Sequence, residues 1–404
     1  MLYKHFTEEL LGLQGVIIEK IENFENKQII YAVMEIKEHN CPCCGTATRT
    51  VHDYRAQKIK DIPAFGKQVT IVLRKRRYRC PDCKKRFFEE TDFLPRYHRV
   101  TNRLSAYIID KLTSVQSFSS VAREVSLSVS TIIRIFDLVS YPKINKLPTV
   151  LSIDEFKGNT WGEKYQCILT DPVTGKVLDI LPQRYTHYLT SYFRQFSSDE
   201  RRQVKYFVSD MWKTYSNISS VWFKDATQIV DKYHWIRQVI WAFERIRKSE
   251  QKKFSKEHRI YFKNSRKLLL KRFDTLDDEQ KQQVNIMLYT SVNLSRAHFY
   301  KEMFLKILDS NDRESAKQAM SEWITNAENC GLKDMEKCAG TMKNWYTGIL
   351  NSFTVPYTNG FTEGCNNKIK VFKRNAYGYK NFKRFRNRIL HIFNRNLPHK
   401  QAAT

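Results

Sequence analysis

The 404-residue chain carries 69 lysines and arginines against 42 aspartates and glutamates, a formal net charge of +27. With 42% hydrophobic and 13% aromatic residues it has enough apolar material for two to four globular domains, which excludes a disordered polymer. No apolar run approaches the ~18 residues of a membrane span. The opening MLYKHFTEELLGLQGV holds acids where a signal peptide would hold an apolar core, so a cytoplasmic protein is expected. A positive surplus this large predicts a field that attracts polyanions, nucleic acid above all.

Residues 15–37 read as two strands, GVIIEKIENF and QIIYAVMEIK, around a polar turn at 25–27. CPCCG and CPDCKKRFF follow, each with a C-x2-C pair, Cys41/Cys44 and Cys80/Cys83. A two-residue gap lets a tight turn aim both sulfurs at one ion, so two such pairs predict a four-thiolate structural zinc site. Cys43 is an alternative ligand; Cys41 and Cys44 are preferred because they leave Pro42 and Gly45 in turn positions. The chain has nine cysteines, an odd number, and the clustering favours metal ligation in a reducing compartment over disulfides. VTIVLRKRRYRC supplies a strand into the second pair, and its basic run at 74–79 either follows phosphates or is a solvated face.

SSVAREVSLSVSTIIRIFDLVS at 119–140 has the logic of a helix-turn-helix. The small Ala122 permits close helix approach and Ser128 caps the second helix. That helix offers Ser130, Thr131 and Arg134 to a major groove. Ser126 stands at the turn position where glycine is usual, and a plain helical hairpin is the competing reading. Residues 141–148, with two prolines, read as a linker.

From residue 149 strands alternate with helices. TVLSIDEF is a buried strand, 165–181 a hairpin about Pro172 and Gly175, and 188–196 a helix. VKYFVSD, a helical piece at 212–215 and the strand ATQIVDKY complete the pattern. This order predicts a ribonuclease-H-like sheet whose first and fourth strands are parallel neighbours, bringing Asp154 and Asp210 to one edge. Residues from 235 to about 346 read as helices without proline, an insertion at about 240–350. A last helix from about residue 360 would return Glu363 to the two aspartates.

Three carboxylates beside a cationic helix suit two Mg²⁺ (or Mn²⁺) ions ~4 Å apart that act on phosphodiesters. Asp154 is assigned to bridge both ions, Asp210 to hold one and Glu363 the other. Glu155, Asp171 and Asp231 are the competing acids; strand alternation should turn Glu155 to the opposite face from Asp154. After Glu363 come Lys368, Lys370, Lys373, Arg374 and further basic residues to Arg388, expected along DNA. Phe372, Tyr377, Tyr379 and Phe382 among them would either stack on unpaired bases or pack in a core. His234, with Asp231 in DKYHWIRQ, is a candidate assistant at the site, against the reading of a buried structural histidine.

These blocks together, above all NGFTEGCNNKIKVFKRNAYGYKNF, resemble bacterial insertion-sequence transposases of the DDE class, most closely the ISL-three family, over nearly the whole length. The resemblance implies a catalytic triad at Asp154, Asp210 and Glu363, zinc at Cys41, Cys44, Cys80 and Cys83, and an aspartate–histidine pair at Asp231 and His234. It further implies recognition of terminal inverted repeats, cleavage that frees 3′-hydroxyls, and their attack on target DNA by at least a homodimer. A nucleoid-associated location follows from that chemistry. The expected organisation is therefore multidomain α/β. A β-rich zinc-binding domain (1–95) and a helix-turn-helix with linker (96–148) precede a ribonuclease-H-like domain (149–404). Two alternatives remain: a regulator that binds DNA on the same fold without catalysis, and a nuclease that cuts without joining.

Overall fold

The computed structural model describes residues 12–13, 15–264 and 266–394. The described residues form two compact units, one drawn from 1–141, 371–378 and 391–404, the other from 142–370 and 379–390.

In the first unit, β1 (Val16–Asn23) pairs antiparallel with β2 (Lys27–Met34). A two-stranded clip, β3 (His39–Asn40) and β4 (Ala47–Thr48), holds the first cysteine pair. The long hairpin of β5 (Val51–Ala64) and β6 (Lys67–Arg79) completes the sheet, with β6 parallel to β2 and the short β7 (Arg86–Phe88) beside β6. Period-two alternation sorts β6: Val69, Ile71 and Leu73 are buried with Ile30, Ala32 and Ile59, while Thr70 and Val72 turn to the other, half-exposed face. α1 (Asn102–Lys111), α2 (Phe118–Glu124) and α3 (Val129–Phe136) follow.

The α2–turn–α3 segment has the expected cap on its second helix. Ser128 Oγ accepts the Thr131 N–H at 3.2 Å, satisfying one of the orphan donors at the start of α3. Ala122 is buried, and Phe118 lies 5.6 Å from Phe136 across the pair. Ser126 adopts φ +49°, the left-handed region where a β-carbon is strained. Ser126→Gly should therefore stabilise this unit by about 1 kcal/mol, read as a raised midpoint of thermal or urea unfolding.

The second unit is built on a five-stranded sheet. β8 (Val150–Phe156), β9 (Gln166–Asp171) and β10 (Lys176–Leu181) form an antiparallel meander. After α4 (Thr186–Arg194) and α5 (Ser198–Arg202), β11 (Tyr206–Ser209) inserts parallel to β8. α6 (Lys213–Trp222) then leads to β12 (Thr227–Val230), parallel to β11, and the strand order is β10-β9-β8-β11-β12. α4 and α6 cover one face through Phe193, Tyr215 and Ile218 on Leu151, Ile153, Leu169 and Phe207.

Eight helices follow: α7 (Lys232–Gln251), α8 (Lys256–Asn264), α9 (Arg266–Leu270), α10 (Asp278–Tyr289), α11 (Val292–Lys306), α12 (Arg313–Glu328), α13 (Lys333–Asn344) and α14 (Tyr346–Asn351). They enclose their own core around Trp235, Phe243, Phe304 and Trp323. α14 lies close on β12, because a β-carbon at Gly348 would fall 2.7 Å from a methyl of Val230. The chain closes with α15 (Gly360–Asn375) and α16 (Phe382–Phe393). The expected single terminal helix is thus two. The Gly378 N–H bonds back to the Lys373 carbonyl at 3.0 Å and the Tyr377 N–H to the Arg374 carbonyl at 3.1 Å, with Tyr377 at φ +53°, a Schellman-type ending.

Candidate active site

β8 and β11 are parallel neighbours, so their carboxyl ends share an edge. Asp154 lies near the end of β8, and Asp210 is the first residue after β11. Glu363 sits in the first turn of α15. All three line one cavity of about 350 Å³, with Glu155, Tyr233, His234, Arg237, Asn366, Asn367 and Lys370.

The two aspartates are held at a cost. Asp154 is 6% exposed; it accepts the Glu155 N–H at 2.7 Å and the Asn366 Nδ2 at 2.9 Å. Burial, and beyond it the charges of Asp210, Glu155 and Glu363, push its carboxyl up to about 7. Burial and the Glu155 charge push Asp210 up to about 6, although the Trp212 N–H at 3.1 Å opposes this. Glu363 is raised as well, by burial and then by Asp231. Such a set of oxygens suits a hard divalent cation, whose charge would offset the mutual repulsion.

Hydroxyl groups fix Glu363 in place. Its neighbour Thr362 is fully buried and meets Ser152 Oγ of β8 at 2.9 Å and Thr170 Oγ1 of β9 at 2.7 Å. Ser152 Oγ also donates to Asn359 Oδ1. The Asn359 backbone N–H in turn donates to Asp231 Oδ1 at 2.8 Å. The His234 N–H donates to the Asp231 carbonyl at 3.1 Å, so the two share the first turn of α7. Asp231 caps α7 from an extended conformation, taking the Tyr233 N–H at 3.1 Å, and joins the start of α7 to the start of α15.

His234 Nε2 lies 3.6 Å from Glu363 Oε1, too long for a hydrogen bond, and burial holds the imidazole below its ordinary pKa. Ligand atoms of Asp231, His234 and Glu363 lie within 4.8 Å of one another. Asp154, Asp210 and Glu363 share the cavity but do not form such a set.

The competing acids divide. Asp171 is structural: its carboxylate takes the Val173 and Thr174 N–H groups in the β9–β10 turn. Glu155 is on the face opposite Asp154, as expected: it pairs with Cys167, which meets Tyr215 of α6, while its backbone carbonyl lies 3.4 Å from Asn366 Nδ2 at the cavity. Both carboxylate oxygens of Glu155 lie 2.7 Å from Arg184 Nη1. The basic run is also corrected in part. Lys368, Lys370 and Arg374 are exposed and Lys373 is half-buried, but Arg386 is bound to buried Asp179 at 2.6 Å and Arg388 is fully buried. Phe372 is core and Tyr379 packs 5.2 Å from Phe385, whereas Tyr377 is wholly exposed.

In the first unit Cys41, Cys44, Cys80 and Cys83 converge, with sulfur separations of 3.5 Å (41–83), 3.4 Å (44–80) and 3.5 Å (44–83). Sulfurs at Zn–S bond length on a tetrahedron sit about 3.8 Å apart, so the donors fit a closed structural zinc. Exposed Cys43 lies outside the cluster. Gly45 at φ +75° and Lys84 at φ +59° are matching positions of the two knuckles, and Thr46 Oγ1 ties one to the other through Asp82 at 2.7 Å. On α3, Ser130 and Arg134 are exposed and Thr131 is half-exposed, its hydroxyl 2.8 Å from Ser128 Oγ.

Three family models follow these features along the chain. One described as a zinc-finger of transposases matches residues 37–83, one described as the helix-turn-helix domain of transposase family ISL3 matches 89–140, and one described as a transposase matches 151–389. The chain belongs to the ISL3 family of transposases. This ISL3 member is 29% identical over 394 residues to the transposase for insertion sequence element IS1001 of Bordetella parapertussis, covering 94% of this chain and 96% of the relative. The transposase for IS1557 of Mycobacterium tuberculosis is 21% identical over 240 residues, 54% of each protein. The family brings a DNA-binding helix-turn-helix and a structural zinc, both in accord with the geometry above. Among the described residues no helix is long and apolar enough to cross a membrane.

Sequence reasoning missed Asn366, Arg184 and Arg237. Spacing held a signal for two of them: Asn366 is three residues after Glu363, and Arg237 three after His234, one helical turn in each case. Arg184 was legible only through its tertiary partner.

Proposed function

We propose that this chain binds the terminal inverted repeats of an insertion sequence, cuts the element ends and joins the freed 3′-hydroxyls to target DNA. The observation that carries this reading is the single cavity lined by Asp154, Asp210 and Glu363 and rimmed by Arg237 and Lys370. The strand order, with an antiparallel meander followed by two parallel strands, supports a ribonuclease-H-like catalytic domain interrupted by the helices between β12 and α15. We further assign 1–95 to zinc binding, 96–148 to the helix-turn-helix and 149–404 to catalysis.

Asp154, Asp210 and Glu363 would hold Mg²⁺ or Mn²⁺, which when bound activates the attacking oxygen and stabilises the leaving one. Asn366 orients Asp154 by donating to Oδ2, leaving Oδ1 on the Glu155 N–H. Arg237 and Lys370 offer positive charge to the scissile phosphate, and His234, kept neutral by burial, stands beside Glu363 as acceptor for a proton. Lys368, Lys373, Arg374 and, on α3, Ser130, Thr131 and Arg134 contact DNA. Two ends brought together call for at least a dimer acting in the cytoplasm at the nucleoid.

Precut element ends mixed with plasmid and Mg²⁺ should give joined products with the parent chain and none with Asp210→Asn, while both bind ends equally. Cutting without joining would identify a nuclease, and binding alone a regulator. Asn366→Ala removes a charge-assisted bond worth about 1.5–3 kcal/mol, so end cleavage should slow by about ten- to a hundredfold. Its pH–rate profile should move to higher pH, since Asp154 then ionises less readily; an unchanged profile counts against the orienting role.

A further inference from the structure

The first unit has a second, larger opening that no step above uses. It is an open groove of about 1000 Å³ between the half-exposed face of the sheet and the outer side of α3. Strand register builds its floor: Ile29 pairs with Thr70 and Thr70 with Lys60, while Tyr31 pairs with Val72 and Val72 with Lys58. Each of these residues points away from the core, as period-two alternation requires. Lys27, Lys58, Lys60 and Arg99 line the sheet side and Arg134 the helix side, with no carboxylate among the lining residues. Glu22, on the neighbouring strand, is engaged by Lys20 at 2.5 Å and by the Tyr31 hydroxyl at 3.1 Å.

We propose that this groove is a second duplex-DNA contact, a cradle for the phosphate strand beside the major groove that α3 enters. It deepens the DNA-binding reading above and rests on it. Two observations carry it. Thr131 and Arg134, on the second helix of the helix-turn-helix, face the groove itself, so a duplex touching them presents its backbone to the sheet. The opposite wall offers Lys58, Lys60 and Arg99 with no acid among the lining residues, beside apolar Ile29 and Val72 and, on α3, Ile135, which suits phosphates flanked by sugars. The zinc-bearing sheet then acts as a clamp rather than only a scaffold.

The test measures binding of the full chain, without divalent cations, to a duplex from the end of its own element across a salt series. Lys58→Gln/Lys60→Gln should weaken binding and reduce the slope of log K against log salt by about 2, roughly 0.9 per lost phosphate contact. Acetylation of the parent chain read by mass spectrometry provides a second measurement that needs no variant. Lys58 and Lys60 should react in free protein and be protected by the duplex. An unchanged salt slope in the folded variant, or no protection in the parent, overturns the cradle. So does inertness of both lysines without DNA, which would mean that another segment of the chain fills the groove. Arg134→Ala separates the two readings: if it abolishes end binding while the lysine pair does nothing, the helix-turn-helix reading stands and the cradle alone falls. A parent chain that fails to hold the duplex removes both.

Discussion

Asp154→Asn should yield a protein that cuts no DNA yet melts at a higher temperature than the parent in metal-free buffer near neutral pH. The folded-state pKa of about 7 lies above the ordinary carboxyl value of 3.8, so between these limits the native state binds more protons than the unfolded chain. Stability is therefore lost as pH rises from about 4 to about 7, and the full cost is present above that window. Asparagine cannot ionise and escapes it. A tenfold weakening of an acid corresponds to about 1.4 kcal/mol, so a few kcal/mol is the ceiling and several degrees of melting temperature the expected reading. Melts in chelator across this pH range should show the two curves meeting near pH 4 and diverging upward. Parallel curves would mean that Asp154 carries no unfavourable charge, and retained cleavage would remove it from the chemistry.

Removing the zinc should have the larger structural effect. Structural zinc in small modules contributes apparent binding free energies of about 10–16 kcal/mol, and those modules unfold without it. Cys80→Ser should lower bound zinc well below one ion per chain and expose the 37–90 region to protease. End binding should fall in parallel. The 142–370 region has its own cores and should remain protected. Cys43→Ser, by contrast, should leave zinc content and end binding unchanged, since that thiol lies outside the cluster. Equal zinc loss in the two variants would overturn the ligand assignment.

Much of this architecture was legible because it depends on local pattern. The C-x2-C pairs, the Ser128 cap and the strands that carry Asp154 and lead to Asp210 each announce themselves within a few residues. Glu363 was legible from its place at the head of a basic helix. What escaped depends on distant partners. β5 was missed because its sequence, VHDYRAQKIKDIPA, mixes charges and a proline and buries little beyond Ile59 and Asp61. It becomes a strand through pairing with β6, not through its own pattern. Arg386 and Arg388 looked like two more surface cations, and only the fold supplies the buried Asp179 and the interior that take them in.

The bond from the Asn359 amide to Asp231, with the hydroxyl contacts of Thr362, has a bearing on when the protein becomes dangerous to its host. A nascent chain that has left the ribosome as far as β12 already carries all five strands of the second unit's sheet in its sequence and two of the three acids. It still lacks the residue that completes the set, which arrives only after the whole helical body has been synthesised. Under the chemistry proposed here, translation products that stop before Glu363 remain unable to break chromosomes, and competence to cut waits on α15.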